Sequence, residues 1–110
     1  MSDTSEPLSP QVFHLLLALA DGPAHGYAIM KRVEHETDGE IRLGPGTLYG
    51  AIRRLRSDGL IEEASGGEGG RRQYRLTARG RGALRREAAR LARLVSAARS
   101  RNLLPERGAR

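Results

Sequence analysis

The sequence predicts a mainly α-helical chain with one small β-hairpin, on three observations. Apolar residues recur at helical spacing in four separate segments. Two short alternating stretches enclose a glycine-rich run, Ser65-Gly66-Gly67-Glu68-Gly69-Gly70, as the strands and tip of a hairpin would. A last segment repeats apolar residues in steps of four and three over Leu84, Ala88, Leu91, Val95 and Ala98, the narrow seam of a helix that pairs with another helix.

The elements follow in order. Ser9 caps a first helix and Pro10 fills its first position, where a missing N–H costs little. Val12, Leu15, Leu16 and Leu19 keep helical spacing, and Phe13, Leu17 and Ala20 add a second apolar face. A helix apolar on most sides is buried or shared with another subunit. Asp21-Gly22-Pro23 stops it. A second helix covers about 26–36, with Tyr27, Ile29, Met30 and Val33 inward and Lys31, Arg32, Glu34 and His35 in solvent. Ile41-Arg42-Leu43 reads as a short strand. Gly44-Pro45-Gly46-Thr47 opens a third helix that reaches about Ser57. Leu48, Ala51, Ile52 and Leu55 share its inner face, while Gly46, Thr47, Tyr49, Gly50, Arg53 and Arg54 share the other, with Arg56 nearer the boundary. Leu60–Ala64 and Arg71–Leu76 are the hairpin strands, Tyr74 and Leu76 on one face and Gln73 and Arg75 on the other. The glycine-rich tip between them is expected to be mobile. Thr77 caps a last helix that runs to about Ser100. The expected organisation is a compact domain over 8–77, a dimerisation helix over 78–100, and disordered tails at 1–7 and 101–110.

Charge is divided along the chain. The net is +6, yet residues 1–40 carry two basic against seven acidic side chains, and residues 41–110 carry seventeen arginines against six acids. The basic part therefore points to a polyanionic partner. A chain of 110 residues, 38% apolar, forms one domain with a modest core. Without cysteine there is no disulfide framework and no thiolate metal site. His14, His25 and His35 lack metal-ligand spacing, and no cofactor is expected. No apolar run approaches a membrane span, and the polar, acidic start is not a secretory signal, so the expected compartment is the cytosol. Triad, zincin and P-loop motifs are absent, which argues against an enzyme.

Helix, helix, short strand, helix, hairpin and long helix together describe a winged helix. Its second and third helices form a helix-turn-helix, and the third would read the major groove of duplex DNA. Lys31, Thr47, Tyr49, Arg53, Arg54, Arg71 and Arg72 are the candidate DNA contacts. All but Arg71 have a plainer alternative: a helix start for Thr47, packing against the wing for Tyr49, solvated charge for Lys31, a solvated face or a surface ion pair for Arg53 and Arg54, and a bend back to the body for Arg72. His25-Gly26-Tyr27 reads as structural, with Gly26 allowing a tight helix entry and Tyr27 packed.

The stretches His25-Gly26-Tyr27, 43–55 (LGPGTLYGAIRRL), Asp58-Gly59-Leu60-Ile61-Glu62 and 71–77 (RRQYRLT) resemble the PadR family of bacterial regulators, over about residues 8–100. The resemblance implies a homodimeric winged-helix regulator, usually a repressor, with a C-terminal dimerisation helix. The single such helix resembles the short branch of the family. It also implies a small-molecule effector of unknown identity, although a chain without Trp is poorly suited to an aromatic-stacking pocket. Arg56 departs from the acid often found there. A two-fold dimer predicts a pseudo-palindromic operator. An adaptor that reuses the fold to bind protein remains open, because a fold does not fix a function. An RNA-binding module is a third reading, against which the lack of paired stacking aromatics argues.

Overall fold

A computed structural model describes residues 7–64 and 71–105. The elements are α1 (Pro10–Leu17), β1 (Ala24–His25), α2 (Gly26–Glu36), α3 (Pro45–Ser57), β2 (Ile61–Ala64), β3 (Gln73–Leu76) and α4 (Ala78–Ser100). The mainly helical, winged-helix reading holds. The hairpin belongs to a three-stranded antiparallel sheet of order β1-β3-β2.

Local chemistry accounts for most boundaries. Ser9 stands in extended backbone and its Oγ accepts the Val12 N–H at 3.1 Å, with Pro10 at the first helical position. α1 closes at Leu17, earlier than expected. Leu19 and Ala20 then donate to carbonyls three residues back, the tighter pattern that ends many helices. Arg32, expected in solvent, donates to the Ala18 carbonyl at 2.7 Å and ties this turn to α2.

Between α2 and α3 the chain turns rather than forming the expected strand at Ile41–Leu43. Thr37 Oγ1 donates to the Val33 carbonyl at 2.9 Å and accepts the Ile41 N–H at 3.0 Å. Asp38 and Gly39 take left-handed backbone, with φ of 53° and 81°. Such a turn has no straight edge to pair. The additional strand is β1, which sets Ala24 opposite Tyr74 and His25 opposite Gln73. Two residues are too few to show alternation in a sequence.

Leu16 of α1, Ile29 and Val33 of α2 and Leu48 of α3 are almost fully buried, so the three helices share one centre. Tyr74, Leu76 and Ile61 close it from the sheet. Tyr27 is a correction: it is 58% exposed, because at the start of α2 the buried positions are Gly26, Ile29 and Val33. Leu84 is another. It is buried in the subunit's own core with Ala83, so the first turns of α4 belong to the same packed body as residues 8–77.

The junction before α4 fixes the wing. Thr77 Oγ1 donates to the Gly59 carbonyl at 2.6 Å and accepts the Gly80 N–H at 3.0 Å, while the Thr77 N–H meets the Leu60 carbonyl at 3.1 Å. A Cβ on Gly80 would overlap the Leu60 carbonyl oxygen, so glycine lets α4 lie directly on the turn that joins α3 to β2. Glu87 is the one buried charged residue among those described. Its Oε1 accepts the Leu8 N–H at 3.1 Å and its Oε2 pairs with Arg90 at 2.5 Å. These bonds hold its carboxyl below the ordinary glutamate range, the Arg90 hydrogen bond most strongly.

Beyond Glu87, α4 leaves the body. Leu91 and Ala98 are half-buried, and Ala88, Leu94 and Val95 are exposed. α4 ends at Ser100, where the sequence places its end. Asn102 is left-handed, and the Leu103 N–H returns to the Ala98 carbonyl at 3.0 Å, capping the helix. The expected disorder at residues 1–6 and 106–110 and the expected mobile tip at 65–70 lie outside the described residues.

Candidate nucleic-acid interface

The sequence places Pro45 at the first position of α3 and gives its core-facing side Leu48, Ile52 and Leu55. Helical rotation of about 100° per residue then turns Gly46, Thr47, Gly50, Arg53 and Arg54 away from the core. Gly46, Thr47, Arg53 and Arg54 are exposed. The ion pairs among the described residues include neither Arg53 nor Arg54. Both glycines face open space: a Cβ on Gly46 would meet nothing within 4 Å, and one on Gly50 only the Arg53 guanidinium at 3.9 Å. Among the described residues nothing requires glycine at either position, although glycine in a helix interior, as at Gly50, costs about 1 kcal/mol relative to alanine.

Tyr49 and Arg56 lie on one flank of this face. The Tyr49 ring extends over Gly26, where a Cβ would overlap its hydroxyl, so Tyr49 packs on the start of α2. Arg56 points to Glu63 of β2, its Nη2 3.7 Å from the carboxylate. The other Glu63 oxygen lies 3.6 Å from Arg72 Nε. One acid thus stands between the end of α3 and the wing base and draws Arg72 toward the body. Arg75, on the opposite side of β3, pairs with Glu62 at 2.8 Å.

His25 is the N-cap of α2: its Nδ1 accepts the Ala28 N–H at 3.3 Å. The other ring nitrogen, Nε2, lies 3.2 Å from Arg71 Nη1. His25, Gly26, Tyr27, Tyr49, Arg71, Arg72 and Tyr74 line a cleft of about 520 Å³. Lys31 stands 5.8 Å from the centre of the exposed Tyr27 ring, a cation–π pairing that leaves it at the surface of α2. The structure therefore gathers Lys31, Tyr49, Arg71 and Arg72 around the start of α2, and keeps Thr47, Arg53 and Arg54 on the α3 face beside it.

Sequence reasoning missed three participants. His25 reads in the sequence only as part of a structural triplet, because histidine is not among the residues that favour a helix N-cap. Glu63 carried no signal, because its partners come from α3 and β3. Glu87 occupies an otherwise apolar helix face between Leu84 and Leu91, which was visible in the spacing. Among the described residues no group of three or more His, Asp or Glu is placed to hold a metal ion. No helix among them is long and apolar enough to cross a membrane.

A model of the transcriptional regulator PadR-like family matches residues 15–86. The chain is similar to the transcriptional regulator Rv3488 of Mycobacterium tuberculosis, 38% identical over 87 residues that cover 74% of this chain and 78% of the relative. An uncharacterized 37.1 kDa protein in transposon TN4556 of Streptomyces fradiae is 49% identical over 80 residues. That match covers 73% of this chain but spans only 22% of the Streptomyces protein. Among solved structures, a transcriptional regulator from Clostridium thermocellum aligns with a TM-score of 0.68 and 25% identity, over 84% of this chain and 96% of that one. Bacillus subtilis PadR in complex with operator DNA aligns with a TM-score of 0.62 over 73% of this chain and 46% of that one; at 22% identity this likeness concerns the fold.

Proposed function

Because the chain belongs to the PadR-like family of transcriptional regulators, we propose that it binds duplex DNA sequence-specifically as a homodimer, laying the outward face of α3 in the major groove. The observation that carries this reading is that face itself. Arg53 and Arg54 stand outside every described ion pair beside two glycines that no intramolecular packing needs. Guanidinium groups suit guanine edges and phosphates, and glycine admits close approach of another body. Thr47, Tyr49 and Lys31 flank the groove, and Arg71 and Arg72 follow the backbone from the wing base. Bacillus subtilis PadR, of the same fold, was solved with operator DNA.

Dimerisation is proposed through the distal half of α4. Leu84 leaves the expected seam for the core, and the half-buried Leu91 and Ala98 with the exposed Leu94 and Val95 continue the same helix face. The proposed organisation is a reading domain over 8–77 that shares its core with the base of a dimerisation helix over 78–100. Two-fold pairing would present α3 twice, so the operator would be pseudo-palindromic. Occupancy of that operator would repress transcription, in the cytoplasm where the chromosome is accessible.

In-vitro selection from a genomic duplex library, followed by titration at several salt concentrations, tests the reading. Enrichment of a symmetric site, with affinity that falls steeply as salt rises, is expected. Indifference to duplex DNA at low salt would refute it and favour a protein-binding adaptor.

A further inference from the structure

We propose that His25 and Arg71 together seat one phosphodiester oxygen of the DNA backbone, with His25 donating from Nε2. The inference rests on the DNA-binding reading above and adds a residue and a proton position to it.

The argument begins with the helix cap. His25 Nδ1 accepts the Ala28 N–H. A neutral imidazole carries one proton, so an accepting Nδ1 places that proton on Nε2. Nε2 is also the atom 3.2 Å from Arg71 Nη1. Arginine nitrogens only donate. The pair therefore brings two N–H donors to one point with no acceptor between them. The reverse tautomer would let Arg71 donate to Nε2, but would turn an Nδ1–H against the Ala28 amide. The amide is fixed by α2, whereas Arg71 is exposed in the segment just before β3, outside the strand pairing, and can swing. The cap therefore decides the tautomer.

Two donors converging on a cleft call for an outside acceptor that binds both. Among the described residues the cleft lining contains two arginines and no carboxylate. Glu63 lies against Arg72, and no ion pair among the described residues includes Arg71. The peptide N–H groups at the start of α2 add positive potential at the same place. A phosphodiester oxygen is singly anionic, accepts two hydrogen bonds, and arrives in this position when α3 enters the adjacent groove.

The test uses the full chain, a duplex recovered by in-vitro selection, and His25→Asn. Asparagine keeps the cap but is too short to reach a phosphate. His25→Asn and Arg71→Gln are each expected to weaken binding about 10-fold, and the double variant by about 10- to 20-fold rather than 100-fold. Arg71→Gln lowers the salt slope by about one per subunit, whereas His25→Asn, losing a neutral donor, leaves it unchanged. Replacing backbone phosphates one at a time by methylphosphonate should reveal one position per half-site that weakens the wild type most, weakens His25→Asn less, and has little further effect on Arg71→Gln. Ring-nitrogen NMR of the free protein is expected to place the His25 proton on Nε2.

A proton on Nδ1, or single effects that multiply to about 100-fold, would overturn the shared seat while leaving DNA binding intact. Failure of the wild type to bind any duplex would remove both readings together.

Discussion

Gly50→Ala separates what α3 needs for folding from what it needs for a partner. In the free subunit the added methyl meets only the Arg53 guanidinium at 3.9 Å, ordinary contact with the far end of an exposed side chain. Gly50 lies well inside α3, so alanine regains most of the helix-propensity difference, about 0.8 kcal/mol. For a chain of this size that raises Tm by about 4 °C. On DNA the same methyl stands on the face proposed to enter the groove. A closely approached position would oppose it by about 1.4 kcal/mol, tenfold in Kd per subunit and about a hundredfold for a two-fold dimer. Thermal melting by circular dichroism and anisotropy titration of a selected duplex give the two readouts on one sample. A variant that melts higher and binds worse fits the reasoning. One that melts higher and binds equally well would show that the outward face of α3 is not the close contact. One that melts no higher would refute the claim that Gly50 has no role inside the subunit.

Four further outcomes are expected. Glu63→Gln frees Arg56 and Arg72 and removes a negative charge beside the wing. Both pairs are partly exposed, so stability changes by less than about 1 kcal/mol, while binding to random-sequence duplex tightens about threefold at low salt and returns to wild type as salt screens it. Gly80→Ala drives a methyl into the Leu60 carbonyl and costs about 3 kcal/mol in urea denaturation, whereas exposed Ala78→Gly at the start of α4 costs no more than about 1 kcal/mol. Glu87 titrates lower in the folded chain than its ordinary 4.5, so it contributes stability above that pH and loses it as pH falls through the folded value; Glu87→Gln should flatten the acid limb of the stability curve over this window. Leu94→Asp with Val95→Asp alters two exposed positions, so each subunit keeps its Tm when measured dilute, while sedimentation shifts from dimer to monomer; an unchanged dimer would move the interface elsewhere.

How much of this was legible depended on where each residue's partners sit in the chain. Caps were readable because they act within three residues: Ser9 on Val12 and Thr77 on Gly80 stand where the sequence predicts. The inner face of α3 was readable for the same reason, since rotation about one helix sorts Leu48, Ile52 and Leu55 from Arg53 and Arg54. Pairings between elements were not. β1 is two residues long and exists only because Tyr74 and Gln73 lie alongside it. Tyr27 follows apolar spacing yet points outward, because Gly26 takes the buried place and the Tyr49 ring covers it. Leu84 matched the seam and also the core, and periodicity alone could not say which body would cover it.

The glycines carry the functional argument one step further, because the same residue type stands in two opposite situations. At Gly26 and Gly80 a Cβ would meet the Tyr49 hydroxyl or the Leu60 carbonyl, so the missing side chain is accounted for inside the subunit. Those two sites hold α2, α3, the wing base and α4 in one arrangement. At Gly46 a Cβ would enter open space and at Gly50 it would touch only the far end of Arg53, so the free subunit gains no packing from either, and Gly50 makes the helix less stable. The first pair makes a rigid frame, and the second leaves an uncovered strip of backbone on the face that frame presents, beside Arg53 and Arg54. A helix with a slim, positively charged outer side is matched to a partner that is itself grooved and negatively charged. Duplex DNA meets both conditions in its major groove, whereas an acidic protein surface meets only the second.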